Sequence, residues 1–176
     1  VSLSLTYQGT IDKHRGITGL LKIVNELDKK GVTVTLYLHG KGNMVEKIRN
    51  LGKENVVVTG VLGQKELSNR LGTYDVGFLP MPATAIWRLA SPLKRGEYFA
   101  SGLVVVGIDH TGHKLDADYE WMQLYQEDEF VSKTVEWLTE IQTTKLRALQ
   151  KEARAYAEDY CSWESSVTEL VRIIES

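Results

Sequence analysis

Ser2-Leu3-Ser4-Leu5-Thr6-Tyr7, then Gly16-Ile17-Thr18-Gly19-Leu20-Leu21-Lys22-Ile23-Val24-Asn25-Glu26-Leu27-Asp28-Lys29-Lys30, then Gly31 and Val32-Thr33-Val34-Thr35-Leu36-Tyr37-Leu38-His39: these three runs decide the fold. The first alternates apolar with polar side chains and reads as a strand. In the second, Ile17, Leu20, Leu21, Val24 and Leu27 recur at three- and four-residue spacing, which is one face of a helix. Gly31 after two lysines is a helix stop. The third run is β-branched and aromatic, a second strand. Strand, helix and strand in this order make a right-handed crossover between parallel strands.

The pattern repeats outward. Gly40-Lys41-Gly42 turns the chain into a helix over about Asn43–Leu51, Asn55–Thr59 is a third strand, and Gly60 opens the next connection. Gln64–Leu71 reads as a helix and Tyr74–Leu79 as a fourth strand. A loop over Pro80–Ser91 leads to a helix over Pro92–Ala100, where proline is tolerated in the first turn. Leu103–Ile108 is a fifth, wholly apolar strand, and the last 48 residues or so read as helices. In those helices Val131, Val135 and Leu138, then Leu146 and Leu149, then Val167, Leu170, Val171 and Ile174 are expected to be core, with Trp163 a structural anchor. The expected fold is α/β, a Rossmann-like doubly wound parallel sheet with C-terminal helices, in one domain over residues 1–176.

With 43% hydrophobic and 25% charged residues the chain is an ordinary globular domain, not a disordered tail or a disulfide scaffold. Its single cysteine, Cys161, has no intrachain partner, which fits a reducing compartment. No apolar run approaches 18 residues, and Val1–Tyr7 has neither a basic flank nor an apolar signal core, so neither a membrane span nor a signal peptide is expected. Nucleic acid is not an expected partner. Residues 1–100 carry 14 basic against 8 acidic side chains, and residues 101–176 carry 7 against 15. A basic front portion is compatible with an anionic small ligand such as a nucleotide diphosphate, but on charge alone an ordinary solvated surface is the better reading.

Ligands of such sheets sit beyond the carboxyl ends of the strands. The loops there read Tyr7-Gln8-Gly9-Thr10-Ile11-Asp12-Lys13-His14-Arg15-Gly16, His39-Gly40-Lys41-Gly42, and Thr59-Gly60-Val61 with Glu66-Leu67 beyond. Phe78-Leu79-Pro80 follows, then Ser91-Pro92-Leu93-Lys94-Arg95-Gly96-Glu97-Tyr98-Phe99-Ala100-Ser101-Gly102-Leu103-Val104-Val105, and near the end Tyr160-Cys161-Ser162-Trp163. Gly40-Lys41-Gly42 fails as a dinucleotide fingerprint, because it follows the second strand and Val45 stands where the third glycine belongs. No combination of Asp109, His110, His113 and Asp116 has zinc-ligand spacing, so no metal site is expected.

In this order and spacing the segments resemble the C-terminal, donor-binding domain of a GT-B glycosyltransferase, most similar to glycosyltransferase family four, over essentially the whole chain. The resemblance implies retaining transfer of a hexose from a UDP or GDP sugar to a glycan, lipid or polysaccharide acceptor. It implies no metal and no cofactor beyond the nucleotide-diphosphate sugar itself. It also implies a preceding N-terminal acceptor domain that this chain lacks, so the isolated domain is expected to be inactive. A cytoplasmic location, with peripheral membrane association of the full enzyme, is implied in the same way.

Residue by residue, Glu97 matches the glutamate that holds the ribose, and a carboxylate there suits two neighbouring hydroxyls. As a plain helix-end carboxylate it would only favour the dipole. Arg15 matches the family lysine that reaches the donor diphosphate, and a guanidinium grips phosphate with two donors. Glu97 and Arg15 are the expected catalytic pair. Gly9, Gly16, Gly40 and Gly60 are expected to let the backbone approach the donor. Thr10, Pro80, Ser91, Pro92 and Lys94 complete the expected donor-binding set. Trp87 and Arg88 read either as stacking groups or as surface packing. The sequence departs from the family pattern twice: Leu89 replaces the first ribose-loop glutamate, and Thr10 replaces the usual arginine. Two alternatives stand beside the transferase: a nucleotide-sugar epimerase, and a non-catalytic nucleotide-binding module on the same scaffold.

Overall fold

The computed structural model describes residues 2–90 and 93–175. Six parallel strands form one sheet: β1 (Leu3–Gln8), β2 (Val34–His39), β3 (Val56–Gly60), β4 (Val76–Leu79), β5 (Val104–Ile108) and β6 (Met122–Tyr125). Their order across the sheet is β3-β2-β1-β4-β5-β6. The chain therefore winds outward one way from β1 and then the other way from β4, and the doubly wound expectation holds.

Helices cover both faces. On one, α1 (Ile17–Lys29) packs beside α6 (Phe130–Glu140); on the other, α5 (Leu93–Ala100) packs beside α7 (Thr143–Tyr160). Three shorter helices, α2 (Val45–Asn50), α3 (Gln64–Leu71) and α4 (Ala85–Leu89), sit within the connections, and α8 (Trp163–Glu175) closes the described chain. The helical face read from sequence is the buried one, since Ile17, Leu20, Val24 and Leu27 are all shielded from solvent.

Tyr98 on α5 positions the site. A Cβ on Gly77 of β4 would lie 2.6 Å from its ring, so only glycine lets the ring lie on the strand. The Tyr98 hydroxyl accepts the Gln8 amide at 3.1 Å, which ties α5 to the carboxyl end of β1. At the other end of the sheet, buried Asp75 accepts from the Ser4 amide at 2.8 Å and the Arg147 guanidinium at 2.7 Å. These contacts clamp β4 to β1 and to α7.

Three expectations need correction. The fifth strand is not the last: β6 pairs with β5 from Val105↔Met122 to Ile108↔Tyr125. The Pro80–Ser91 loop contains a helix, α4. The apolar set of α8 is not core, since Trp163 is 84% exposed and Val167, Leu170, Val171 and Ile174 are 55, 56, 44 and 73% exposed. The chain breaks helix at Cys161–Ser162, and α8 then carries its stripe away from the sheet.

Candidate functional site

A cleft of about 570 Å³ opens at the carboxyl ends of β1, β2 and β3. Its lining joins Gln8–Thr10, His39–Lys41, Val61 and Leu62 to Leu67 of α3 and to Leu93, Lys94 and Glu97 of α5. Of the sequence-predicted residues, Gly9, Thr10, Gly40, Lys94 and Glu97 thus converge. Arg15, Gly16, Gly60 and Pro80 lie outside this lining, and Ser91 and Pro92 lie outside the described residues.

The glycines serve the approach of loop to loop. A Cβ on Gly40, at φ +153°, would meet the Gly9 carbonyl at 1.8 Å, and one on Gly16 would meet the Pro80 carbonyl at 1.9 Å. The Gly9 amide donates to the His39 carbonyl at 2.9 Å and the Gly40 amide to the Gly60 carbonyl at 2.8 Å. Those two amides are therefore committed to neighbouring loops. Gly9 alone faces a side chain of the site, with its hypothetical Cβ 2.9 Å from Lys94 Nζ.

Lys94 and Lys41 line the cleft, and Arg15, outside the lining, is near enough for its charge to act on Lys94. Lys94 Nζ sits 4.8 Å from the centroid of the buried Tyr7 ring. Burial lowers its pKa from 10.5 to about 8, the charge of Arg15 pushes the same way, and Glu97 opposes both. The Arg15 guanidinium lies 4.4 Å from the Trp87 ring centroid, in cation–π contact. Among the described residues neither cation is in an ion pair. Tyr7, whose hydroxyl donates to the Thr10 carbonyl at 2.9 Å, has its pKa pushed up to about 12 by burial.

The polar floor comes from two strand ends that register as neighbours, Gln8 and His39. Gln8 Nε2 donates to the Glu97 carboxylate, which steers that side chain toward β1. His39 Nδ1 is 2.8 Å from Thr59 Oγ1. Burial first, and then the positive charge of Arg70, bring its pKa down to about 4, so the ring is neutral at pH 7. Sequence reading missed Gln8, His39, Lys41 and the apolar wall of Val61, Leu62 and Leu67. The available signal was position alone, at strand ends facing the switch point of the sheet. Leu89, where the family glutamate is absent, is 90% exposed on α4. Among the described residues no group of three His, Cys, Asp or Glu side chains converges for a metal ion. No helix among them is long and apolar enough to cross a membrane.

Fold and cleft define a doubly wound α/β domain with a cationic, strand-end site. The chain belongs to the Glycosyl transferases group 1 family, whose model matches residues 3–155. No curated protein matches the sequence significantly. Among solved structures, it is similar to the pneumococcal O-GlcNAc transferase GtfA in complex with UDP and GlcNAc, at 19% identity and a TM-score of 0.72 over 96% of this chain and 36% of that one. HepE of Anabaena, in complex with UDP and glucose, is 15% identical with a TM-score of 0.73 over 99% of this chain and 48% of that one. The C-terminal domain of the Francisella tularensis group 1 protein LpcC is 15% identical with a TM-score of 0.69, over 90% of this chain and 86% of that one. The chain thus spans about a third to a half of the two UDP-bound relatives.

Proposed function

We propose that this chain is the donor-binding domain of a retaining glycosyltransferase of family four, which transfers a hexose from a UDP or GDP sugar without a bound metal. The observation that carries this reading is the pair of cations, Arg15 and Lys94, each seated on an aromatic face rather than on a carboxylate. A positive charge kept out of ion pairs at a strand-end cleft is matched by an anion. The repulsion between the two is relieved when a diphosphate enters. As the bond from the sugar to the terminal phosphate breaks, charge grows on that phosphate, and the same two groups stabilise it.

Glu97, held by Gln8, accepts from the ribose hydroxyls, and Thr10, which lines the same cleft, donates to phosphate. The acceptor is bound by a further, N-terminal domain, and chemistry takes place between the two. This substrate class places the enzyme in the cytoplasm, with the full protein peripheral to a membrane where its acceptor is a lipid.

Thermal unfolding against UDP, GDP, ADP and CDP tests the reading. Ligand at 100 times its dissociation constant adds about 2.7 kcal/mol. For a domain of this size that raises the midpoint by about 5–10 °C. The expected result is a shift with UDP or GDP that Glu97→Ala diminishes. No shift with any diphosphate at millimolar concentration would sink the proposal.

A further inference from the structure

We propose that Trp87 is a positioning residue of the diphosphate site: its indole face holds the Arg15 guanidinium beside the cleft and so sets how tightly the chain grips a nucleoside diphosphate. This rests on the reading of Arg15 as a phosphate ligand.

Both partners of the 4.4 Å contact are anchored at the backbone. Arg15 ends a 3-10 turn over Lys13–Arg15, and Gly16 next to it, at φ +78°, lies so close to the Pro80 carbonyl that no side chain fits between them. Pro80 is also the root of the segment that carries α4. Trp87, half-buried against the core, is fixed from the other side by the loop after β5. A Cβ on Gly112 would be 2.0 Å from the Trp87 carbonyl. Thr111 Oγ1 donates to the Arg88 carbonyl at 2.8 Å. His110 Nδ1 receives the Gly112 amide at 3.2 Å, so Nε2 is the protonated nitrogen and donates to the Met81 carbonyl at 3.1 Å. A five-residue helix with Ile86 and Leu89 facing solvent is thereby held as a fixed shelf.

The choice of an aromatic shelf has a chemical reason. A carboxylate would occupy the guanidinium N–H groups and neutralise the charge. An indole face attracts the cation without neutralising it, so the guanidinium keeps N–H donors to fork onto two phosphate oxygens. The long, flexible arginine side chain is ordered before the ligand arrives, and pre-ordering favours affinity.

The test is calorimetric titration of the chain with UDP, GDP and ADP and with the matching monophosphates. Trp87→Ala, Trp87→Phe, Arg15→Ala and the double Ala variant are compared with wild type. Trp87→Ala is expected to weaken the preferred diphosphate about three- to tenfold, the weight of one cation–aromatic contact. Monophosphate affinity should hardly move, and Trp87→Phe should restore most of the loss. In the Arg15→Ala background, removing Trp87 should cost nothing further. Should Trp87→Ala lose cooperative melting, Trp87→Leu, which keeps bulk without a π face, takes its place. Wild-type affinity in the Ala or Leu variant, or losses that add in the double variant, would overturn the role of Trp87 while leaving Arg15 as a ligand. Arg15→Ala binding like wild type, or a wild-type chain that binds no diphosphate, would overturn the reading of Arg15 and the proposal with it.

Discussion

Lys94 shows what a buried cation costs a fold. Its ammonium is held against Tyr7 with burial and Arg15 both opposing the charge, and its pKa falls from 10.5 to about 8. An unfolded lysine keeps its proton up to about pH 10.4, so between pH 8 and that value the unfolded state binds more protons and stability rises with pH. Under the proposed donor role binding has the opposite sign: a diphosphate would be held by the ammonium, so affinity should fall as pH rises past about 8. Lys94→Met should therefore raise the melting midpoint at pH 7, by about 2–4 °C for each kcal/mol recovered. The same variant should weaken nucleotide binding and flatten its pH dependence. Calorimetry from pH 7 to 10 on both proteins checks this, and a variant that melts lower at pH 7 would show that Lys94 stabilises the fold. Glu97 was legible through the resemblance of the Ser91–Val105 block to the family, and Lys94 because it stands in that block at the carboxyl edge of the sheet. His39 was not, because a histidine ending an apolar strand reads as core until the neighbouring loops are in place.

At the scale of elements, period and burial agree through α1 and the central strands, where apolar side chains are consistent with one face or one layer. They part at β6, whose Met-Gln-Leu-Tyr is short, at the sheet edge and only partly buried, so its pattern is too brief to separate from loop. They part again at α8, where a 3.6-residue apolar period is real but its face is exposed among the described residues. Periodicity reports that a helix has an apolar side; it does not report what covers that side. Among the described side chains of α8 none is buried, and the family match already ends at residue 155. Ending the chain after Ser162 should thus change the melting midpoint by no more than about 2 °C, the range of a surface change of about 0.5 kcal/mol. It should also reduce binding of an apolar dye. A loss of many degrees would mean that α8 packs on the domain and that the exposed stripe is misread.

At the scale of the molecule, the cleft draws its lining from the first 100 residues, the part with 14 basic against 8 acidic side chains. That part brings the cations Lys41 and Lys94, the Glu97 carboxylate and an apolar wall to one cleft, and in the proposed reading these serve only the donor side of a reaction. A glycosyl transfer also needs a surface that presents the acceptor hydroxyl to the sugar and excludes water. The chain spans only about a third to a half of the UDP-bound structures it resembles, and in the proposed reading that surface belongs to a further, N-terminal domain. The family resemblance was legible because six short segments keep their order along the chain, and the family model matches residues 3–155. The acceptor was not legible, since in the proposed reading its contacts belong to a further, N-terminal domain. Incubated with a UDP or GDP sugar, the chain alone should bind it and release no free sugar or nucleotide above the uncatalysed background. Joined to its acceptor-binding half it should turn over, and there Arg15→Ala should lower the rate roughly 10²–10³-fold, the weight of one electrostatic donor. Chromatography of the nucleotide released over time separates the cases. Transfer by the isolated chain would place the acceptor on this domain and break the two-sided reading, whereas turnover unaltered by Arg15→Ala in the joined protein would leave the leaving group to Lys94 alone.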